Sequence, residues 1–281
     1  MGVRVWFVFS FVVACAGCSE RGMHASLDAG SGELRPITLQ FKAVVGDQPF
    51  DCWTEYAGTP GLTFTAMDFR FYVQDVRLIA RDGREVPVAL DARGPGQSHD
   101  VALLDFAADE GSCFTFTESG TNVTITGQVP AGDYSSVVFT LGVPEQLNHQ
   151  DVVTAKPPLN DPSMYWAWSN GYRFVSLMLA ATREGAAPVQ TGVHIGAMGC
   201  AGSESSGFSC SHPNRNRVQL DGFDLDRSTI VADFAAALRD LDLSVAHQCH
   251  GGEPECTSAF AAFGVGPDGA ALPTQRVFRL Q

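Results

Sequence analysis

The stretch "DFRFYVQDVRLIA", residues 68 to 80, alternates apolar and polar side chains and runs straight into "RDGRE", residues 81 to 85. A period of two is the signature of a strand with one face buried, and a Gly-containing polar cluster is the signature of a turn. Working outward, the same pattern recurs at "ITLQFKAVV" (37–45), "VALLDF" (101–106), "TNVTITGQV" (121–129), "YSSVVFTLGV" (134–143), "YRFVSLMLAA" (172–181), "VQTGVHIGA" (189–197) and "NRVQLDGFD" (216–224). Turn sequences such as "PAGDY" and "REGAAP" separate them. Only "STIVADFAAALRD" (228–240) has apolar residues at helical spacing, with Ser228 or Thr229 placed to cap it. Many short strands, tight turns and one short helix predict an all-β chain, an antiparallel β-sandwich with long loops and disulfides. Strict alternation puts Asp68 and Asp75 on opposite faces of their strand, which rules them out as a paired acid/base dyad.

The chain opens with Arg4, an apolar run from Val5 to Ala14, then small residues and cysteine. Roughly ten apolar residues fall short of the ~20 that span a bilayer, so the opening reads as a signal peptide over residues 1–17. "VVAC" resembles a bacterial lipobox, with Cys15 a better lipidation site than Cys18; an ordinary secretory signal is the alternative. Residues 18–35 read as a flexible tether and 36–281 as one β-sandwich domain, anchored by lipid in the periplasm or outer envelope. In an oxidising compartment the remaining Cys52, Cys113, Cys200, Cys210, Cys249 and Cys256 favour disulfides over thiolate ligands. Spacing suggests Cys200 with Cys210 and Cys249 with Cys256, leaving Cys52 with Cys113. The formal net charge of −13 repels phosphate backbones, so no nucleic acid is expected as a partner.

Two segments do not read as strands. One is the Gly/Ser-rich stretch from 200 to 216; the other, residues 143 to 169, carries four prolines and ends in "MYWAWSNGYRF" (164–174). Long loops in compact domains are commonly functional. His149 lies in this loop and His194 in "TGVHIGAMGC"; imidazoles with few other donors suit copper or zinc, and Met164 or Met198 nearby tilts the choice to copper. A hairpin around "REGAAP" sets His194 opposite Leu177, with Trp168 roughly 30 Å along the strand. The two meet only if the chain folds back at Ser169–Asn170–Gly171, a plausible turn sequence. His149 needs no such reversal.

Enzyme signatures are poor: there is no G-x-S-x-G, no H-E-x-x-H, no phosphate-cradling glycine loop and no CxxCH. The chain is therefore not expected to be an enzyme. A metal-free envelope scaffold or partner-binding module is the alternative to a metal site.

Several ungapped blocks in one order carry a resemblance: "DFRFYVQDVRLIARDGREVPVAL", "VALLDF", "TNVTITGQVPAGDYSSVVFTLGVPEQLNH", "PPLNDPSMYWAWSNGYRF", "HIGAMGC" and "CSHPNRNRVQL". Together they resemble the MbnP-like family, also called metallo-mystery-pair four-cysteine proteins, from about Pro36 to the C-terminus. The resemblance implies an exported, often lipid-anchored copper-binding protein. It also implies a neighbouring gene for a di-haem, cytochrome c peroxidase-like (MbnH-like) partner that oxidises a tryptophan to kynurenine, whose amine and carbonyl can contribute to the metal site. On this reading Trp166 or Trp168 is the oxidised residue, with Trp53 a lesser candidate. His149 is the favoured ligand, His194 the second, and Asp151 an oxygen donor.

Overall fold

Alternation along Leu34–Val45 is realised face by face: Ile37, Leu39, Phe41 and Ala43 are buried while Thr38, Gln40 and Lys42 between them are exposed or half-exposed. The computed structural model describes residue 2 and residues 33–281, apart from 59–60, 108–110, 114–119, 168 and 204. Apart from residue 2, the segment expected to be a signal peptide lies outside the described residues, as do most of the expected tether, Cys15, Cys18 and Trp168. Glu33–Gln281 form one compact unit.

Two sheets build an all-β sandwich. The smaller has the lateral order Phe278–Leu280, Thr229–Asp233, Leu34–Val45, Thr124–Pro130, Ala89–Leu90, with Gln48–Pro49 paired to Leu34–Val45. The larger runs Arg217–Asp221, Tyr134–Leu141, Thr63–Ala80, Gly171–Thr182, Val189–Gly196, His247–Cys249. Between them, Phe41 of one sheet meets Phe71 and Phe139 of the other at ring separations of 6.3 and 5.9 Å. Each fully buried aromatic or aliphatic side chain contributes roughly 1.5–3 kcal/mol, so this double layer is the main source of stability. Among the described residues no helix is long and apolar enough to cross a membrane.

Several expectations change in detail. The segment 228–240 divides at Asp233. Its β-branched first half is a strand, Thr229–Asp233, parallel to Leu34–Val45 with Gln40 opposite Thr229. The helix is only Phe234–Leu238, and its cap is Asp233, whose carboxylate accepts from the Ala236 N–H at 3.2 Å, not Ser228 or Thr229. A second short helix spans Thr257–Ala262. The stretch 200–216, expected as a loop, contains most of a hairpin, Met198–Ser203 with Gly207–His212, in which Cys200 lies directly opposite Cys210. All three suggested disulfides are present: Cys52–Cys113, Cys200–Cys210 and Cys249–Cys256. The central strand also breaks its own alternation. Asp75 adopts φ 46° at a bulge, so core-facing positions run Phe69, Phe71, Val73 and then Val76, Leu78, Ala80. Asp75 therefore leaves the face expected of it and binds Arg77 at the surface, at 2.9 Å.

The outer face of the Thr63–Ala80 strand is sealed where the 143–170 segment crosses it. Tyr72 and Tyr172 donate their hydroxyls to the carbonyls of Pro158 and Leu159 at 3.0 and 2.6 Å. Beneath, the buried Arg70 guanidinium makes a two-pronged contact with Asp68 (2.7 and 2.8 Å) and donates to Asp161 at 3.2 Å and Ser163 Oγ at 2.7 Å. Asp105 shares this enclosure without an ion pair of its own. Burial drives its carboxyl up to about 7, opposed by Arg70 and reinforced by Asp68.

This shift predicts a pH dependence. Because folded Asp105 holds its proton more tightly than the unfolded chain, its stabilising contribution is complete below about pH 4 and is lost as pH rises through about 7. Asp105→Asn should be more stable than the parent at pH 8 by about 1–3 kcal/mol, a gain that vanishes toward pH 4. Urea unfolding of both proteins across this range measures the difference.

Candidate metal centre

The site starts from a strand register. Val189–Gly196 pairs in parallel with His247–Cys249, placing Val193 opposite Cys249. The next residues along, His194 and His250, therefore emerge side by side, and their rings stack with centroids 5.4 Å apart and planes 18° from parallel. The Cys249–Cys256 disulfide and the Glu253 carboxylate, which accepts from the N–H groups of His250 (3.1 Å) and Gly251 (2.7 Å), fix the turn that carries His250.

Trp166 arrives from the other side. The chain folds back at Ser169–Asn170–Gly171, pairing Tyr165 with Tyr172 and Ala167 with Gly171. Gly171 takes φ 77°, a conformation suited to glycine, and packs against Asn148. Asn148 is fully buried; its side chain accepts from the Tyr172 N–H at 3.1 Å and donates to the Asn170 carbonyl at 3.3 Å, riveting the turn to the long loop. The indole meets both imidazoles edge to face, 6.4 Å from His194 and 5.9 Å from His250. The Arg173 guanidinium lies 5.9 Å from the indole centroid. Gly196 leaves room for the ring: a Cβ there would stand 2.5 Å from Trp166 Cζ3. His194 lies opposite Ser176, one residue from the expected Leu177.

The electrostatics favour neutral imidazole. His194 is 4 % exposed, and neither ring nitrogen has a hydrogen-bond partner among the described residues. Burial, and after it the charges of Arg173 and His250, lower its pKa to about 3. Its lone pair is thus free of proton competition at neutral pH, and burying an imidazole whose nitrogens make no hydrogen bond costs stability. A borderline-soft cation fits this donor set. Met198 brings a thioether to the turn that follows His250, where a Cβ on Gly251 would stand 3.5 Å from its Cγ. Its sulfur accepts from Asn170 Nδ2 at 3.6 Å, and it lines a cavity of about 480 Å³ with Gly251 and Phe260.

The predicted residues separate into two groups. His194 and Trp166 come together, joined by His250. His149 instead stacks on Phe208, with centroids 4.1 Å apart, and its Nε2 lies 3.7 Å from Cys210 Sγ. Asp151 is exposed and closes its own turn, accepting from the Val153 N–H at 3.0 Å. Among the described residues no ring contact links His149 to Trp166. Met164 is wholly buried in the packing under the loop, and Trp53 is 70 % exposed beside Cys52. His250 was not singled out from the sequence. Its signal was adjacency to Cys249, but only parallel pairing across the fold brings it to His194.

The geometry makes Gly196→Ala a specific probe. The methyl group would collide with Trp166 and the Tyr172 carbonyl, so the substitution should destabilise by about 1–3 kcal/mol and change the indole environment, read by thermal melting and tryptophan fluorescence.

The profile of the MbnP family matches residues 34–258. Among solved structures, MbnP from Methylosinus trichosporium superposes with a TM-score of 0.76 at 26 % identity, covering 88 % of this chain and 98 % of that one. No curated protein matches with significance. By the extent of the family match, the chain belongs to the MbnP family.

Proposed function

We propose that this MbnP-family chain is a copper-binding protein in which His194 and His250 hold the ion beside an oxidised Trp166. The observation that carries the reading is the pair of unpartnered, buried His194 nitrogens stacked against a second imidazole at the edge of an indole. Two imidazoles leave coordination incomplete. Conversion of Trp166 to kynurenine supplies an aromatic amine and a ketone in the place where the indole now lies, and the Met198 thioether favours copper over zinc. Copper would supply a Lewis-acid and redox centre there; the chain itself supplies two imidazoles on a rigid platform and the nearby positive charge of Arg173.

The oxidation is assigned to a di-haem, cytochrome c peroxidase-like partner, as the family resemblance implies. In net terms the indole and three waters give kynurenine and formate with loss of four electrons and four protons, the electrons leaving through the partner's haems to a terminal oxidant such as a peroxide. The partner's cofactor carries the difficult redox chemistry and this protein is its substrate, not an enzyme. Trp166 suits that role because it is half-exposed, unlike the wholly buried core aromatics. Trp168, outside the described residues, remains the alternative substrate on the same peptide. Export and lipid anchoring at Cys15 or Cys18 would place the chain beside such a partner in the envelope.

Co-expression with and without the di-haem partner, followed by peptide mass spectrometry and copper analysis, tests this. The peptide holding Trp166 and Trp168 should gain one oxygen and lose one carbon only with the partner, and fragment ions should locate the change. His194→Ala and His250→Ala should each weaken copper binding by roughly tenfold or more, while His149→Ala leaves that site intact. Full-affinity copper binding in the His194→Ala/His250→Ala double variant would refute the ligand set. Neither mass change nor copper would return the scaffold reading.

A further inference from the structure

His149 Nε2 and the sulfurs of Cys200 and Cys210 lie within 4.8 Å of one another, outside the Trp166 cluster. The geometry has a simple origin. Phe208 and Cys210 are two residues apart on one strand and so share a face; His149 stacks on the first, and its ring nitrogen reaches the second. In the oxidised chain the sulfurs are bonded to each other, and neither is a thiolate. We propose that reduction of the Cys200–Cys210 disulfide opens a second metal site, in which two thiolates and the His149 imidazole bind a thiophilic ion, zinc(II) or copper(I).

Donor type and number fit that class. Soft thiolates with one imidazole select zinc or cuprous ion, and three protein donors leave a further position for water. Access fits as well. The other two disulfides are buried, with Cys52 and Cys113 each 4 % exposed, Cys249 0 % and Cys256 2 %; Cys200 and Cys210 are both half-buried. An open groove lined by Glu145, His149, Ser203 and Phe208 reaches the imidazole from solvent. A mild reductant therefore meets this bond first. The step balances with a dithiol or phosphine as electron source. Two electrons and two protons cleave the S–S bond to two thiols while the reductant is oxidised, and metal binding then releases the two thiol protons to water. Reoxidation reverses both steps and expels the ion. The site is thus gated by redox state, independently of whether copper occupies the Trp166 cluster.

The test compares one protein in two redox states. The full chain is titrated with zinc(II) before and after mild phosphine treatment under anaerobic conditions, with alkylation and peptide mass spectrometry reporting which cysteines have opened. Opening of Cys200 and Cys210 alone should add one equivalent of bound zinc, and cobalt(II) in its place should show thiolate-to-metal charge-transfer absorption. His149→Ala, which keeps the disulfide and so the fold, should weaken only this added equivalent, by roughly tenfold or more. Reoxidation should release it. The proposal is overturned if the buried disulfides open first, if the opened hairpin takes up no metal, or if His149→Ala leaves its affinity unchanged.

Discussion

A buried guanidinium cannot be left unpaired, and the architecture around the candidate metal centre follows from satisfying Arg70. Its own strand supplies Asp68, but the remaining donors require Asp161 and Ser163 from the long segment that crosses the sheet. Removing one partner of such a buried pair costs about 3–5 kcal/mol, so the crossing segment is held at a defined point and cannot drift over the surface. Asp161 also accepts from the Ser163 N–H at 2.8 Å, starting the turn Pro162–Met164 that leads directly into the strand bearing Trp166. Arg173 continues the fastening by donating to the Ser163 carbonyl at 3.1 Å while its guanidinium lies near the indole. One charge in the sheet thus fixes the segment that carries Trp166, although the two residues lie far apart in sequence.

The histidines are placed by a different device, the hydrogen-bonded register of two parallel strands. Backbone pairing is rigid where side-chain packing is adaptable, and a disulfide adjoining His250 removes the remaining freedom. The environment then sets the protonation state. Burial and neighbouring positive charge keep His194 neutral far below physiological pH, so this imidazole is prepared to donate an electron pair and poorly suited to shuttle protons. Holding a buried imidazole without hydrogen-bond partners in this way costs stability.

How much of this was legible depended on the range of the interaction. Period-two alternation is local, and it announced the strands and the sandwich without help from tertiary contacts; the turn sequence Ser169–Asn170–Gly171 allowed the fold-back that the structure contains. The bulge at Asp75 was not legible, because nothing in an Asp flanked by Gln and Val marks a positive φ. The run at 228–240 shows the competition between levels. Its apolar residues satisfy helical spacing, but Thr229, Ile230 and Val231 are β-branched, and a vacant sheet edge beside Leu34–Val45 claimed them. His250 was the costliest omission. It lies 56 positions from His194, and sequence patterns carry no information about which parallel strands become neighbours.

That same pairing governs when the centre comes into existence. Residues 166, 194 and 250 meet only once the edge strand His247–Cys249 has docked in parallel, a contact that spans 56 positions between Thr191 and His247. A chain in which that strand is undocked lacks the cluster. Anything that acts there, whether a metal ion or an oxidant, meets a finished protein and recognises its surface, so the centre also reports that maturation is complete.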